Sequence, residues 1–344
     1  MKALRYFGAR DIQYGSTDDA ALQDDRDVLV RVKHCAICGS DLHIYHGHGF
    51  SEDKGFCVGH EAVGEVVETG RAVRTLKTGD RVMISAAVGC GACPGCLMGR
   101  VHECENNGSG CYGLSAALQG SQAEAVRVPA GDVNARRIPE GITDEQALML
   151  TDALPTSWMA VRNADIKPGA SVAVVGLGPI GLMAVEGCFA MGAGRVYAID
   201  LVPERRAIAQ GLGAVGVDPA EAVPFIREDT KGRMCSSVVE AVGADATIDL
   251  SLRLVGKWGT VSCLGVNQTR RFPFPMERAF ASGLTFRTGT CSVPHWWQEL
   301  IPMVQKGQLR PERYISHRLP LSQGAEAYAI LDRREALKVV MTPE

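Results

Sequence analysis

The stretch Ser171-Val172-Ala173-Val174-Val175-Gly176-Leu177-Gly178-Pro179-Ile180-Gly181 decides the fold. Residues 170–175 form a largely apolar run that reads as a buried strand, and residues 180–191 read as a helix. The turn between them fits G-x-G-x-x-G, in the strand-turn-helix setting that gives this motif its meaning. Gly176 allows the tight turn, Gly178 lets the backbone approach a pyrophosphate, and Gly181 lets helix and strand pack closely. Pro179 and Ile180 open the helix, whose free N–H groups face the phosphates. Asp200 closes the next apolar run, 195–199. Its carboxylate suits ribose hydroxyls and repels a 2′-phosphate, so NAD is expected over NADP. Leu201 and Val202 follow, leaving no arginine immediately adjacent. Arg205 is the basic candidate on the cofactor side, while Arg206 reads as a solvated helix face.

Downstream, the same alternation continues. A helix is expected over 203–211, and strands over 238–242 and 260–264. Strands alternating with helices predict a parallel sheet covered on both faces. A helix over 153–164 precedes the glycine turn. Before it, helical periodicity is scarce. A hairpin over 6–14 and apolar strands over 28–32, 63–67 and 81–84 are separated by glycine-containing turns. The segment 297–341 is mixed.

The chain has 344 residues, enough for two domains. Its hydrophobic share is 46%, its charged share 22% and its net charge −3. That balance offers no polyanion-binding surface, so no nucleic-acid partner is expected. The longest apolar stretch, 172–185, is too short for a membrane span and contains three glycines and a proline. The N-terminus reads as a strand, not a signal peptide.

Twelve cysteines would suit a disulfide scaffold only in a much shorter chain. Cys90, Cys93, Cys96 and Cys104 instead run C-x2-C-x2-C-x7-C. Gly91, Pro94, Gly95 and Gly99 let this loop fold around an ion. Four thiolates closing on one zinc make a structural site without an open position. An iron–sulfur cluster is the rival occupant, although nothing else in the chain reads as an electron-transfer partner. The spacing indicates a reducing, cytoplasmic compartment. Cys111 lies outside the spacing and reads as packed or free, and Cys57 as packed.

Cys38-Gly39-Ser40-Asp41-Leu42-His43 and Gly59-His60-Glu61 form a second constellation. Cys38 and His60 supply two ligands where an open zinc site needs three. Together these motifs resemble the zinc-containing alcohol dehydrogenases of the medium-chain dehydrogenase/reductase family, over essentially the whole chain. The resemblance implies a Rossmann doubly wound parallel sheet over 154–290. It implies a β-rich GroES-like catalytic domain over 1–153 and 291–344, with the cysteine lobe at about 88–106. It also implies a third catalytic ligand at Asp152, whose other reading is a helix N-cap. Glu61 would complete the shell or stand behind it.

Further roles follow from the same resemblance. Ser40 would bond the substrate oxygen, and His43 would pass its proton to solvent. Thr156 would touch the nicotinamide end, Leu264, Gly265 and Val266 its carboxamide, and Lys338 the pyrophosphate. Gly39 departs from members with arginine there. Ala86 replaces a bulky aromatic and leaves room for a secondary or bulky alcohol. Tyr112, Trp158, Trp296 and Trp297 are candidate pocket walls or ordinary core aromatics. His34, His46 and His48 match no catalytic position. The expected protein is a reversible NAD-dependent zinc alcohol dehydrogenase with two zinc ions per chain, acting on a small molecule as a dimer or tetramer. Polyol, threonine and formaldehyde dehydrogenases on this scaffold are the near rivals. A non-catalytic dinucleotide-binding protein and a zinc-ribbon interaction protein are the remote ones.

Overall fold

The computed structural model describes residues 1–106 and 110–344. These fall into two compact units, Met1–Pro155 with Cys291–Glu344, and Thr156–Thr290.

The second unit is a six-stranded parallel sheet. In spatial order its strands are Val215–Val217, Arg195–Ile199, Ser171–Val175, Cys235–Glu240, Val255–Cys263 and Thr285–Thr288. The sequence order 3-2-1-4-5-6 is that of a doubly wound dinucleotide fold, whose crevice opens at the carboxyl end of the first strand. Ser171–Val175 lies at the centre because its side chains are buried on both faces. The helix Pro179–Ala190 follows, apolar nearly all round, with Gly178 in extended backbone at its N-cap. Val215–Val217 and Thr285–Thr288 escape a periodicity reading because one has three residues and the other alternates poorly in burial.

The first unit is β-rich. Its main sheet runs Ile315–Pro320, Lys338–Thr342, Val28–Ala36, Glu61–Thr69, Arg81–Ile84 and Ala135–Arg137, with Ala125–Val128 also paired to Val28–Ala36. Ala36 lies opposite Glu61 in the antiparallel register. That pairing brings the chain leading to Cys38 beside the chain leaving His60. The hairpin Lys2–Gly8 and Asp11–Ser16 forms a separate two-stranded sheet. Among the described residues, no helix is long and apolar enough to cross a membrane.

Candidate active site and metal centre

Cys38 precedes the short helix Asp41–Tyr45, His60 precedes the strand Glu61–Thr69, and Asp152 precedes the helix Ala153–Asn163. One ligand atom from each lies within 4.8 Å of the others. Cys38 Sγ is 3.3 Å from Asp152 Oδ2, and His60 Nε2 is 3.6 Å from the same oxygen. Asp152 does stand at a helix start, yet its carboxylate is directed at these two side chains. Ser40 Oγ lies 3.2 Å from His60 Nε2.

Asp41, which motif spacing had not singled out, organises this cluster. Its Oδ2 accepts the backbone N–H of Cys38 at 2.9 Å, and its Oδ1 lies 3.2 Å from His60 Nδ1. A clue was available: an aspartate three residues after Cys38 can reach back to that N–H. Burial pushes the Cys38 thiol up, and Asp152 adds to it. Burial also raises the Asp152 carboxyl, but His60, Lys338 and Cys38 outweigh it and hold the group at about 2. Cys38, Asp41, Glu61 and Asp152 thus crowd acidic groups into one poorly solvated place, with Lys338 as a cation among them. A converging sulfur, nitrogen and oxygen donor set of this kind fits zinc.

The structure bears on two expectations here. Lys338 is buried, with its ammonium on the Glu61 carboxylate and donating to the Ile37 carbonyl at 3.0 Å. It is therefore a tether behind the metal cluster, its ammonium already engaged by Glu61 and Ile37 where the resemblance implied a residue near the pyrophosphate. Glu61 is fully buried and stands outside the three converging ligands, paired with Lys338.

The four cysteines of the lobe are buried, and their sulfurs lie within 4.8 Å of one another. Cys90 Sγ accepts from the backbone of Ala92 and Cys93, at 3.4 Å each, and from Asn106 Nδ2 at 3.2 Å. Led by the Ala92 N–H, these donors lower the Cys90 thiol to about 6. A thiolate is the form a metal needs. Gly91 and Gly99 have φ of +72° and +75°, which an L side chain rarely adopts. His102 fixes the lobe to the start of the helix Val293–Gln305 through Ser292 Oγ, at 2.5 Å from Nδ1.

In the second unit, Asp200 Oδ2 accepts the Leu177 N–H at 2.7 Å, and its Oδ1 accepts Val202 N–H at 2.8 Å. The carboxylate is therefore seated against the glycine turn. Gly176 has φ +89°, and a Cβ on Gly181 would overlap the Gly176 carbonyl oxygen. Gly178 has open space around its Cα, as a phosphate-facing position requires. Gly265 packs on Gly243 closely enough to exclude a side chain, which fixes the Leu264–Val266 backbone.

Arg205 is half-buried at the start of the helix Pro203–Gly211. Arg206 is not a solvated helix face. Its Nη1 donates to the carbonyls of Asp200 at 2.6 Å and Leu201 at 3.1 Å, and pairs with Asp218 at 3.2 Å.

The aromatic candidates also resolve. Tyr112 is fully buried in the core of the first unit. Trp158 is buried against Gly187, and Trp297 is buried with its indole N–H on the Leu150 carbonyl at 2.9 Å. All three are buried in the described structure. Trp296 is half-buried, edge-on to His295. Ala86 is buried, and Thr156 is half-buried in the helix Ala153–Asn163. His34 bonds Thr342 and His46 bonds Asp332, both away from the cluster.

Residues 24–140 match the family model described as an alcohol dehydrogenase GroES-like domain, and residues 179–306 that described as a zinc-binding dehydrogenase. A probable zinc-binding alcohol dehydrogenase of Mycobacterium tuberculosis is 41% identical over all of this chain and 89% of its own. The chain belongs to the zinc-containing medium-chain alcohol dehydrogenase family. A solved alcohol dehydrogenase, TADH from Thermus sp. ATN1, superposes with a TM-score of 0.94 at 37% identity, covering all of both chains. A 2R,3R-butanediol dehydrogenase from Bacillus subtilis superposes at 0.86 with 26% identity, over 100% of this chain and 99% of its own. In a zinc-containing alcohol dehydrogenase, the four-cysteine lobe is the structural zinc site. The Cys38, His60 and Asp152 cluster is the catalytic-like one.

Proposed function

We propose that this enzyme transfers hydride reversibly between NAD and a secondary or bulky alcohol, with Ser40 and His43 moving the proton. The convergence of Cys38, His60 and Asp152, with Ser40 Oγ at 3.2 Å from His60 Nε2, is the observation that carries this reading. Zinc there supplies Lewis acidity to the substrate oxygen, and the nicotinamide supplies the hydride acceptor.

The chain's own residues do the rest. Ser40 orients the substrate hydroxyl and takes its proton. His43 is half-buried, and burial first, then His46 and His48, hold its imidazole below the usual histidine value. It is therefore neutral at neutral pH and ready to accept a proton for release to solvent. Lys338 and Asp41 hold Glu61, Ile37, Cys38 and His60 in place.

Coenzyme choice rests on Asp200. Its carboxylate sits on the glycine turn, and Arg206 is spent on main-chain carbonyls and Asp218. Both features favour free ribose hydroxyls over a 2′-phosphate. Thr156 and Leu264–Val266 would meet the nicotinamide end. The small Ala86 supports a secondary or bulky substrate, as does the resemblance to a dehydrogenase named for butanediol, whose hydroxyls are secondary. Assembly as a dimer or tetramer is supported by Trp258 at 85%, Met276 at 67% and Phe280 at 88% exposure, near the sheet's last strand.

A steady-state screen of primary, secondary, aromatic and polyol substrates with NAD and NADP tests the reading. The highest kcat/KM is expected for a secondary alcohol with NAD. A higher value with NADP would overturn the coenzyme assignment, and full activity of Cys38→Ala would overturn the metal site.

A further inference from the structure

Gln122 and Tyr328 are buried polar side chains that the chemistry above does not use. Both are fully buried. Gln122 Nε2 donates to the Ala36 carbonyl at 3.0 Å, and its Oε1 accepts the Tyr328 hydroxyl at 2.9 Å. Its side chain also lies flat on Gly59, where an added Cβ would overlap it. Gly59 has φ +87°, so glycine is required there on two counts. Ala36 stands two residues before Cys38, and Gly59 immediately before His60. One amide thus touches two of the three chain segments that deliver ligands, those leading to Cys38 and His60.

Tyr328 extends this arrangement. It lies on the helix Gly324–Asp332, and its ring packs on Tyr45 with centroids 5.5 Å apart. Tyr45 ends the helix that begins with Asp41 and carries His43. Asp332, one turn further along the C-terminal helix, binds His46 at 2.6 Å and Arg10 at 2.9 Å. Burial holds the Tyr328 hydroxyl protonated, so it remains the donor. Burying two neutral polar groups deep in a core is unfavourable unless they are paired, and here each satisfies the other.

We propose that Gln122 and Tyr328 are positioning residues for the Cys38/His60/Asp152 site, setting from the C-terminal helix the spacing of two of its three ligand-bearing segments, those of Cys38 and His60. The proposal rests on the reading of that cluster as a zinc site. Neither side chain touches the ligand atoms. Their effect is on how far the Cys38 and His60 segments can drift apart, and hence on how fast a bound metal escapes.

The test uses Tyr328→Phe and Gln122→Met in the full-length zinc-loaded enzyme, with Ile226→Val in the second unit as a stability control. Zinc transfer to 4-(2-pyridylazo)resorcinol is followed in time, and the visible spectrum is recorded after cobalt(II) replaces the catalytic zinc. Tyr328→Phe and Gln122→Met are each expected to release one of the two zinc ions at least about fivefold faster, the scale of one lost buried hydrogen bond. The other zinc should leave at the wild-type rate, and the cobalt band should shift. The double variant should release no faster than Gln122→Met alone, because the pair acts as one unit.

Wild-type release rates and an unmoved cobalt band, with only a lowered Tm as in the control, would reduce the pair to packing and overturn the proposal. Tyr328→Phe keeps the ring and decides the matter even if Gln122→Met fails to fold. A wild type whose zinc is held by the four-cysteine lobe alone would remove the metal-site reading and the proposal with it, and that occupancy is measured before any variant is compared.

Discussion

Asp41 Oδ1 stands 3.2 Å from His60 Nδ1, on the opposite side of the ring from the Nε2 that faces Ser40 and Asp152. With a proton on Nδ1 facing the carboxylate, the Nε2 lone pair is left for a metal. The same carboxylate accepts the Cys38 N–H, so one side chain touches two ligand residues, one by a hydrogen bond and the other by charge. Asp41→Asn keeps the shape and removes the charge. Loss of such an outer partner typically lowers metal affinity by about 10- to 100-fold. Competition against a chelator should show that loss for one zinc per chain, the four-cysteine zinc being untouched. Equal affinities in both proteins would remove Asp41 from this role.

Gly181 presents a steric prediction. A Cβ there would overlap the carbonyl oxygen of Gly176, which is backbone and has no rotamer to yield. Gly181→Ala must push the helix Pro179–Ala190 away from the strand Ser171–Val175. Overpacking of this kind costs about 1–3 kcal/mol or more. Nucleotide affinity should fall together with Tm, because the helix N-terminus and the turn move as one. Gly178→Ala has open space for its Cβ and should leave Tm nearly unchanged while still weakening nucleotide binding. Unaltered binding in both variants would argue against a phosphate at this turn.

Much of this architecture was legible because it rests on local patterns. The strand Arg195–Ile199 and the helix Pro203–Gly211 are visible as an apolar run and as a proline-led segment ending at glycine. The cysteine lobe is legible because its ligands lie within one loop. Long-range pairings left no such trace. Lys338 meets Glu61 only because Lys338–Thr342 joins the sheet beside Val28–Ala36, so a lysine far along the chain becomes a buried tether. Arg206 looked solvated because helical spacing does not reveal that its guanidinium curls back onto Asp200 and Leu201. Tyr112 and Trp158 were ambiguous because an aromatic wall and an aromatic core have the same composition. Gln122 gave no signal, since its partners Ala36 and Tyr328 are 86 and 206 residues away.

The helix Asp144–Met149 leads into Asp152, and its acidic first turn is fixed from outside. Arg318 binds Glu145 with two hydrogen bonds, at 2.6 and 2.9 Å. The Arg318 guanidinium holds the Glu145 carboxyl below its ordinary 4.5, against a smaller opposing effect of burial. A carboxylate depressed in the folded state binds fewer protons there than when unfolded. Its stabilisation is therefore complete above about pH 4.5 and is lost as pH falls through the lower folded value. Arg318 is largely exposed, which limits the pair to about 0.2–1 kcal/mol. Glu145→Gln should thus lower Tm slightly at pH 7, by an amount that shrinks in high salt and disappears under acid conditions. Thermal scans of both proteins from neutral to acidic pH check this. A difference that instead grew as the pH fell would mean that Glu145 is not held as a carboxylate by Arg318.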